Sequence, residues 1–145
     1  MKIGIFGGRF DPIHIGHILI LQDVVENFNL EKIIFLVNYK APHKQSFAKF
    51  EDRYQMVKMS ISRYKFFEIS DYEKRLNLEK SYTYEVLRRF LKENFLENKE
   101  IFFIMGSDEY KKFNTWYKWK KLLELTKFIV LKRPREGLSK NTECE

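Results

Sequence analysis

Residues 1–17 read Met1-Lys2-Ile3-Gly4-Ile5-Phe6-Gly7-Gly8-Arg9-Phe10-Asp11-Pro12-Ile13-His14-Ile15-Gly16-His17, and this stretch decides the architecture. Met1 to Phe6 is a short, isoleucine-rich apolar burst that ends on paired glycines, the pattern of a buried strand. From Ile15 to Phe28 the apolar positions Ile18, Leu21, Val24, Val25 and Phe28 recur at helical spacing. A buried strand that passes through a glycine turn into an amphipathic helix opens an α/β fold.

Working outward, the same alternation continues. Ile33 to Val37 is continuous apolar and β-branched, a second buried strand. Phe50 to Tyr64 carries apolar residues among charges, a helix, and Phe66 to Ile69 is a short strand. Tyr82 to Phe95, with Tyr84, Val86, Leu87, Phe90, Leu91 and Phe95, is the strongest helical pattern. Ile101 to Met105 is a third clear strand, closed by Gly106. A helix starting near Trp116 carries Leu122 and Leu123, and Phe128 to Leu131 is the last strand. Strands that are apolar throughout are covered on both faces. The expected fold is therefore α/β, a single doubly wound, Rossmann-like domain with a five-stranded parallel sheet and helices on both faces. Residues 1–134 form the domain, and 135–145 form a polar C-terminal tail expected to be loose.

Composition narrows the function classes. The 145 residues fit one domain, and 44% hydrophobic residues with only 6 Gly and 3 Pro exclude a disordered chain. The single Cys, Cys144, excludes an internal disulfide and a cysteine metal cage, which agrees with a cytoplasmic location. No apolar run approaches the roughly 18 residues of a membrane span, and the start of the chain does not read as a signal peptide. The formal net charge of +7 points to an anionic partner or to a solvated lysine-rich surface.

The scarce residue types then gather. Of the 3 His and 3 Pro, His14, His17 and Pro12 follow the first strand, His43 and Pro42 the second, and Pro134 the last, beside Arg133. All fall beyond the carboxyl ends of strands, where open α/β sheets bind ligands. In the first cluster the glycines allow close backbone approach, and the helix that follows aims free N–H groups and its positive dipole end at the same place. His14 and His17 share a face of its first turn. The product is an anion site with two imidazole donors, suited to a phosphate. The spacing is neither that of a Walker loop nor that of a Gly-x-Gly-x-x-Gly dinucleotide loop.

Each feature taken alone has a plainer reading. A histidine pair at this spacing also occurs as a turn cap. Asp11, His14 and His17 could ligate a metal but lack an evident fourth ligand. The paired glycines could be only a turn, Lys40, His43 and Lys44 a solvated loop, and Trp116, Tyr117 and Trp119 core and surface aromatics. Their meeting at one sheet edge is what favours a site.

With those residues in hand, the chain resembles the HIGH-type nucleotidyltransferases, the four letters here being His14-Ile15-Gly16-His17. Within that superfamily it is similar to the bacterial nicotinate-nucleotide adenylyltransferase family. The matches continue in family order through Asn38 with Pro42-His43-Lys44, Ser81-Tyr82-Thr83, Gly106-Ser107-Asp108, Trp116-Tyr117 and Arg133-Pro134, so they span residues 3–134. The resemblance implies transfer of AMP from ATP to nicotinate mononucleotide, with Mg²⁺ carried by the ATP and no protein-held metal. It implies His14 and His17 as catalytic residues. Gly7, Gly8, Arg9, Phe10, His14, His17, Gly106 and Asp108 would bind ATP. Asn38, Lys44, Thr83, Trp116, Tyr117 and Arg133 would bind the mononucleotide, Trp116 by stacking on the pyridine ring.

Three departures stand out. Arg9 replaces a small hydroxyl residue, as in related archaeal nicotinamide-nucleotide enzymes. Tyr39 and Ala41 replace Asn and Pro. The family's C-terminal Ile-Ser-x-x-x-Ile-Arg segment is not found in the chain as it runs to Glu145, so weakened turnover is expected. Alternatives are a nicotinamide-mononucleotide or other small-substrate adenylyltransferase, and a non-catalytic nucleotide-binding relative. Nucleic-acid binding through Trp116 to Lys121 is disfavoured, because Trp116 already has a role in the resemblance. The sequence leaves monomer and homo-oligomer both open.

Overall fold

The computed structural model describes residues 1–10, 13, 15–39, 48–80, 82–132 and 142–144. Strand β1 (Lys2–Gly8) leads to helix α1 (Ile15–Asn27), β2 (Lys32–Val37), α2 (Phe50–Ile61), β3 (Phe67–Ser70), α3 (Tyr72–Leu76) and α4 (Thr83–Glu93). There follow β4 (Glu100–Gly106), α5 (Ser107–Lys111), a 3₁₀ turn (Phe113–Thr115), α6 (Trp119–Leu125), β5 (Lys127–Leu131) and β6 (Thr142–Cys144). The sheet order is β3-β2-β1-β4-β5-β6. The first five strands are mutually parallel, as the apolar runs predict.

Period-two alternation divides the sheet into two cores. Phe6, Ile33, Phe35, Val37, Phe102, Ile104, Ile129 and Leu131 face α1 and α2, meeting Ile18, Leu21, Val24, Phe50, Val57 and Ile61. Ile3, Ile5, Ile34, Leu36, Ile101, Phe103, Met105, Phe128 and Val130 face α4 and α6, meeting Val86, Leu87, Phe90, Leu91 and Leu122. Each fully buried apolar side chain of this kind contributes roughly 1.5–3 kcal/mol of transfer free energy. Gly4 is glycine for lack of room: a Cβ there would stand 3.0 Å from Ile104 and Leu30 side-chain carbons and 3.1 Å from Ile33.

The structure departs from the sequence reading in four places. β1 runs on through Gly7 and Gly8, which pair with Leu36 and Val37, so the glycines end the strand rather than follow it. The helix expected from near Trp116 begins at Trp119, because Lys118 takes a left-handed φ of 53° and breaks the path. α3, α5 and the 3₁₀ turn are too short to show a period. Residues 142–144 of the polar tail pair antiparallel with β5, recruited by the unpaired backbone of its open edge.

Helices α1 and α4 end in the same way. After α1 the Leu30 N–H bonds the Val25 carbonyl at 3.0 Å, with Asn29 left-handed at φ 53°. After α4 the Leu96 N–H bonds the Leu91 carbonyl at 2.8 Å, with Phe95 left-handed at φ 57°. Both are Schellman caps, which favour Gly or Asn at the left-handed position. Phe95 is 88% exposed there, so its ring gains little while its backbone is strained. Phe95→Gly should therefore stabilise the protein by about 1 kcal/mol in urea denaturation.

Candidate functional site

Strand order reverses between β1 and β4. β1 is followed outward by β2 and β3 on one side, and β4 by β5 on the other. The helices after β1 and β4 therefore pack on opposite faces, the topology that in open α/β sheets forms a crevice beyond the carboxyl ends of the two strands. Gly7-Gly8 and Gly106 end the two strands. A Cβ on Gly106, or on Gly16 in the first turn of α1, would meet nothing within 4 Å, so backbone is approachable at both places.

Arg9 and Phe10 leave β1 along this edge. Phe10 turns the chain with φ 52° and buries its ring against Phe6 and Phe35, at centroid distances of 5.3 and 5.8 Å. Its side chain is therefore committed to the core, and its backbone is the part left to meet a ligand. His17 lies in the first turn of α1 with its Nδ1 buried and its ring edge-on to Phe6 at 5.8 Å. That contact holds the imidazole of a first-turn residue against the core.

Asn38 continues the β1–β2 ladder, donating its N–H to the Gly8 carbonyl at 2.9 Å. Thr83 opens α4, and Ser107 and Asp108 open α5. Asp108 is exposed, whereas the Ser107 Oγ is buried with no hydrogen-bond partner among the described residues. Trp116 is half-buried against Phe113 and Phe103, with centroids at 5.3 and 6.5 Å. Tyr117 stacks on Tyr82 at 4.6 Å, and Lys118 Nζ lies 5.2 Å over the Tyr117 ring and 5.7 Å over Tyr84. This stack joins the segment before α4 to the segment before α6. Gly7, Gly8, Arg9, Phe10, Asn38, Gly106 and Asp108 thus lie at or just past the carboxyl ends of β1, β2 and β4, with His17 in the first turn of α1 and Thr83 in that of α4, while Trp116 and Tyr117 precede α6. His14, Lys44 and Arg133 lie outside the described residues.

Two buried charges at this edge escaped the sequence reading. Arg53 of α2 is 2% exposed and Glu73 of α3 is 3% exposed. Arg53 Nη1 donates to the Arg9 carbonyl at 2.9 Å and to the Asn38 carbonyl at 2.8 Å, and its Nε donates to the Ala48 carbonyl at 3.1 Å. Glu73 Oε2 accepts from Asn38 Nδ2 at 2.7 Å and its Oε1 from the Tyr39 N–H at 3.1 Å. In sequence both residues sit among other charges, with nothing local to single them out. Among the described residues no three His, Cys, Asp or Glu converge as a metal cage. No helix among them is long and apolar enough to cross a membrane.

A switch-point crevice floored by glycines and edged by helix N-termini is the phosphate-binding arrangement of a nucleotide-handling α/β protein, and the comparisons with known proteins agree. The cytidylyltransferase-like family model matches residues 5–144. A protein of Aquifex aeolicus named "probable nicotinate-nucleotide adenylyltransferase" is 40% identical over 136 residues, covering 92% of this chain and 77% of that protein. One of the same name from Clostridium perfringens is 41% identical, covering 97% of this chain and 68% of its own length. The chain belongs to the cytidylyltransferase-like nucleotidyltransferases and, within them, to the nicotinate-nucleotide adenylyltransferase family. The fold matches that of the Plasmodium falciparum nicotinic acid mononucleotide adenylyltransferase complexed with NaAD. There the TM-score is 0.78 at 22% identity, covering 95% of this chain and 67% of that one.

The tyrosine stack gives a direct test of the wall it builds. A double-mutant cycle of Tyr82→Ala and Tyr117→Ala should return a coupling of about 0.5–1 kcal/mol in folding stability. Additive losses would mean the rings do not hold the two segments together.

Proposed function

We propose that the protein transfers AMP from ATP to nicotinate mononucleotide and releases pyrophosphate, a step of pyridine-dinucleotide synthesis. An oxygen of the mononucleotide phosphate attacks the α-phosphorus of ATP. The new P–O bond joins the two nucleotides, the bond from the α-phosphorus to the bridging oxygen breaks, and its electron pair leaves with pyrophosphate. The observation that supports this reading is that Gly7 and Gly8 end the strand at the switch point of the sheet, with His17 in the first turn of the helix that follows.

The attacking oxygen is already anionic near neutral pH, since the second phosphate pKa is about 6, so no strong general base is required. What the protein must supply is alignment of two anions and stabilisation of charge on the leaving group. In this reading Gly7, Gly8, Arg9 and the Phe10 backbone, with His14 and His17, hold the ATP phosphates, and Gly106 and Asp108 flank its adenosine. Asn38, Lys44, Thr83, Tyr117 and Arg133 hold the mononucleotide, and Trp116 stacks on its ring. Mg²⁺ enters as part of the substrate Mg-ATP, in keeping with its habit of binding through phosphates. A cytoplasmic location belongs to the same reading.

The deciding experiment is pyrophosphate release with Mg-ATP and either nicotinate or nicotinamide mononucleotide. We expect turnover, with nicotinate preferred at least about tenfold, a margin of about 1.4 kcal/mol. Equal or reversed preference would favour the nicotinamide enzyme, and ATP binding by calorimetry without turnover would favour a non-catalytic relative. Two variants test the roles. His17→Ala should lower kcat by about 100-fold or more in a protein that still folds, as expected for loss of a donor to transition-state charge, with some loss of stability from the contact with Phe6. Trp116→Ala should raise KM for the mononucleotide about 2- to 10-fold, the equivalent of a lost ring stack, and change KM for ATP less. Because Trp116 also packs on Phe113 and Phe103, this variant should lose stability as well.

A further inference from the structure

We infer that Arg53 and Glu73 are positioning residues that tie the backbone just after β1, at Arg9, to the backbone just after β2, at Asn38 and Tyr39, as one brace behind the substrate edge. The inference rests on the adenylyl-transfer reading above for what the brace does, and on geometry alone for its existence. The Asn38 carbonyl and the Tyr39 N–H belong to one peptide group, and in a planar trans peptide they point in opposite directions. The carbonyl receives Arg53 Nη1 at 2.8 Å, and the N–H is taken by Glu73 Oε1 at 3.1 Å. One peptide dipole is therefore gripped at its negative end by a cation and at its positive end by an anion. Glu73 also holds the Asn38 side chain through Nδ2.

The same guanidinium nitrogen reaches the other loop. Nη1 carries two hydrogens, and the second serves the Arg9 carbonyl at 2.9 Å. The Phe10 N–H, antiparallel to that carbonyl, is turned away from the guanidinium. A single nitrogen thus sets the peptide after Arg9 and the peptide after Asn38 at once. Nε anchors the guanidinium to Ala48, at the far end of the β2 loop, and Cζ lies 5.6 Å over the Phe50 ring. Burial makes the arrangement rigid, since a desolvated charge holds its partners far more strictly than one in water.

The two loops have different tasks in the proposed reaction. One meets ATP and the other the mononucleotide. In-line transfer needs their reacting atoms in register, and a misplacement of about 1 Å can cost on the order of 100-fold in rate. A brace common to both loops sets that register without touching either substrate. Its loss should therefore appear in kcat more than in either KM.

The test combines kinetics with site-resolved amide exchange on the full chain. Arg53→Met should lower kcat about 100-fold with smaller KM changes. It should also speed exchange at residues 8–10 and 38–39 by at least about tenfold while β4 keeps its protection. Arg53→Lys, whose ammonium can serve both carbonyls met by Nη1, should recover at least about tenfold of that kcat. If Arg53→Met does not fold, Glu73→Gln carries the test: an isosteric uncharged side chain that should speed exchange at Tyr39 and lower kcat about tenfold. Parent-like kcat in folded Arg53→Met, or in Glu73→Gln, overturns the positioning role even if exchange rises. Unchanged exchange overturns the brace itself. Absence of pyrophosphate release from the parent would instead overturn the adenylyl-transfer reading, and the exchange arm would still judge the brace.

Discussion

Strand β1 has no face left for water, and the rest of the molecule follows from that. Ile3 and Ile5 are enclosed by the α4 and α6 side, and Phe6 by the α1 and α2 side. Both strand neighbours are parallel, so every connection must cross over a face and helices must cover both. Gly4 lets Leu30 and Ile104 close over the strand within van der Waals reach. That draws α1, whose Schellman turn delivers Leu30, down onto the sheet. The chain leaves β1 toward one neighbour and later returns at β4 on its other side. The crevice at their carboxyl ends is thus a consequence of burying β1, before any ligand is considered.

Burial also explains why the edge can be rigid although it is built from loops. Removing a guanidinium or a carboxylate from water costs several kcal/mol, and breaking a satisfied buried group costs about 3–5 kcal/mol. Apolar residues of similar size would make a core at least as stable. Arg53 and Glu73 are therefore poorly explained by stability alone, and better explained by the backbone groups they hold. Those groups belong to Arg9, Asn38 and Tyr39, in the two loops that flank the end of β1.

Legibility in the sequence followed the range of the interaction. The five parallel strands and the helices at 15–28, 50–64 and 82–95 were readable because burial on a face writes a period into the chain. The edge itself was readable because glycine, proline and histidine are scarce here and gather at strand ends. What could not be read was held by contacts between distant segments. Phe10 belongs to a motif that resembles an ATP loop, yet its ring fills the core, since a left-handed φ turns it inward. Arg53 and Glu73 stand in charged stretches, and nothing local distinguishes them from solvated neighbours such as Arg63 or Glu79. Residues 142–144 form a strand only because β5 offers an open edge. Thr142, Glu143 and Cys144 have no alternation of their own to announce it.

These two kinds of information divide the work of the site. Both proposed reactants are anions, and both must approach one edge of a sheet. The net charge of +7 raises their concentration near the surface, but exposed lysines are screened beyond about 8–10 Å in salt and impose no direction. Helix N-termini and aligned peptide N–H groups are different: their partial charges are fixed by the backbone and aimed. A fixed dipole helps a transition state only as far as the loop carrying it keeps its orientation. An error in one peptide plane would turn a donor into an acceptor facing a phosphate. The groups that keep those planes in place are then as necessary to the chemistry as the donors themselves, and a buried charge behind the loop can do this without competing for the ligand.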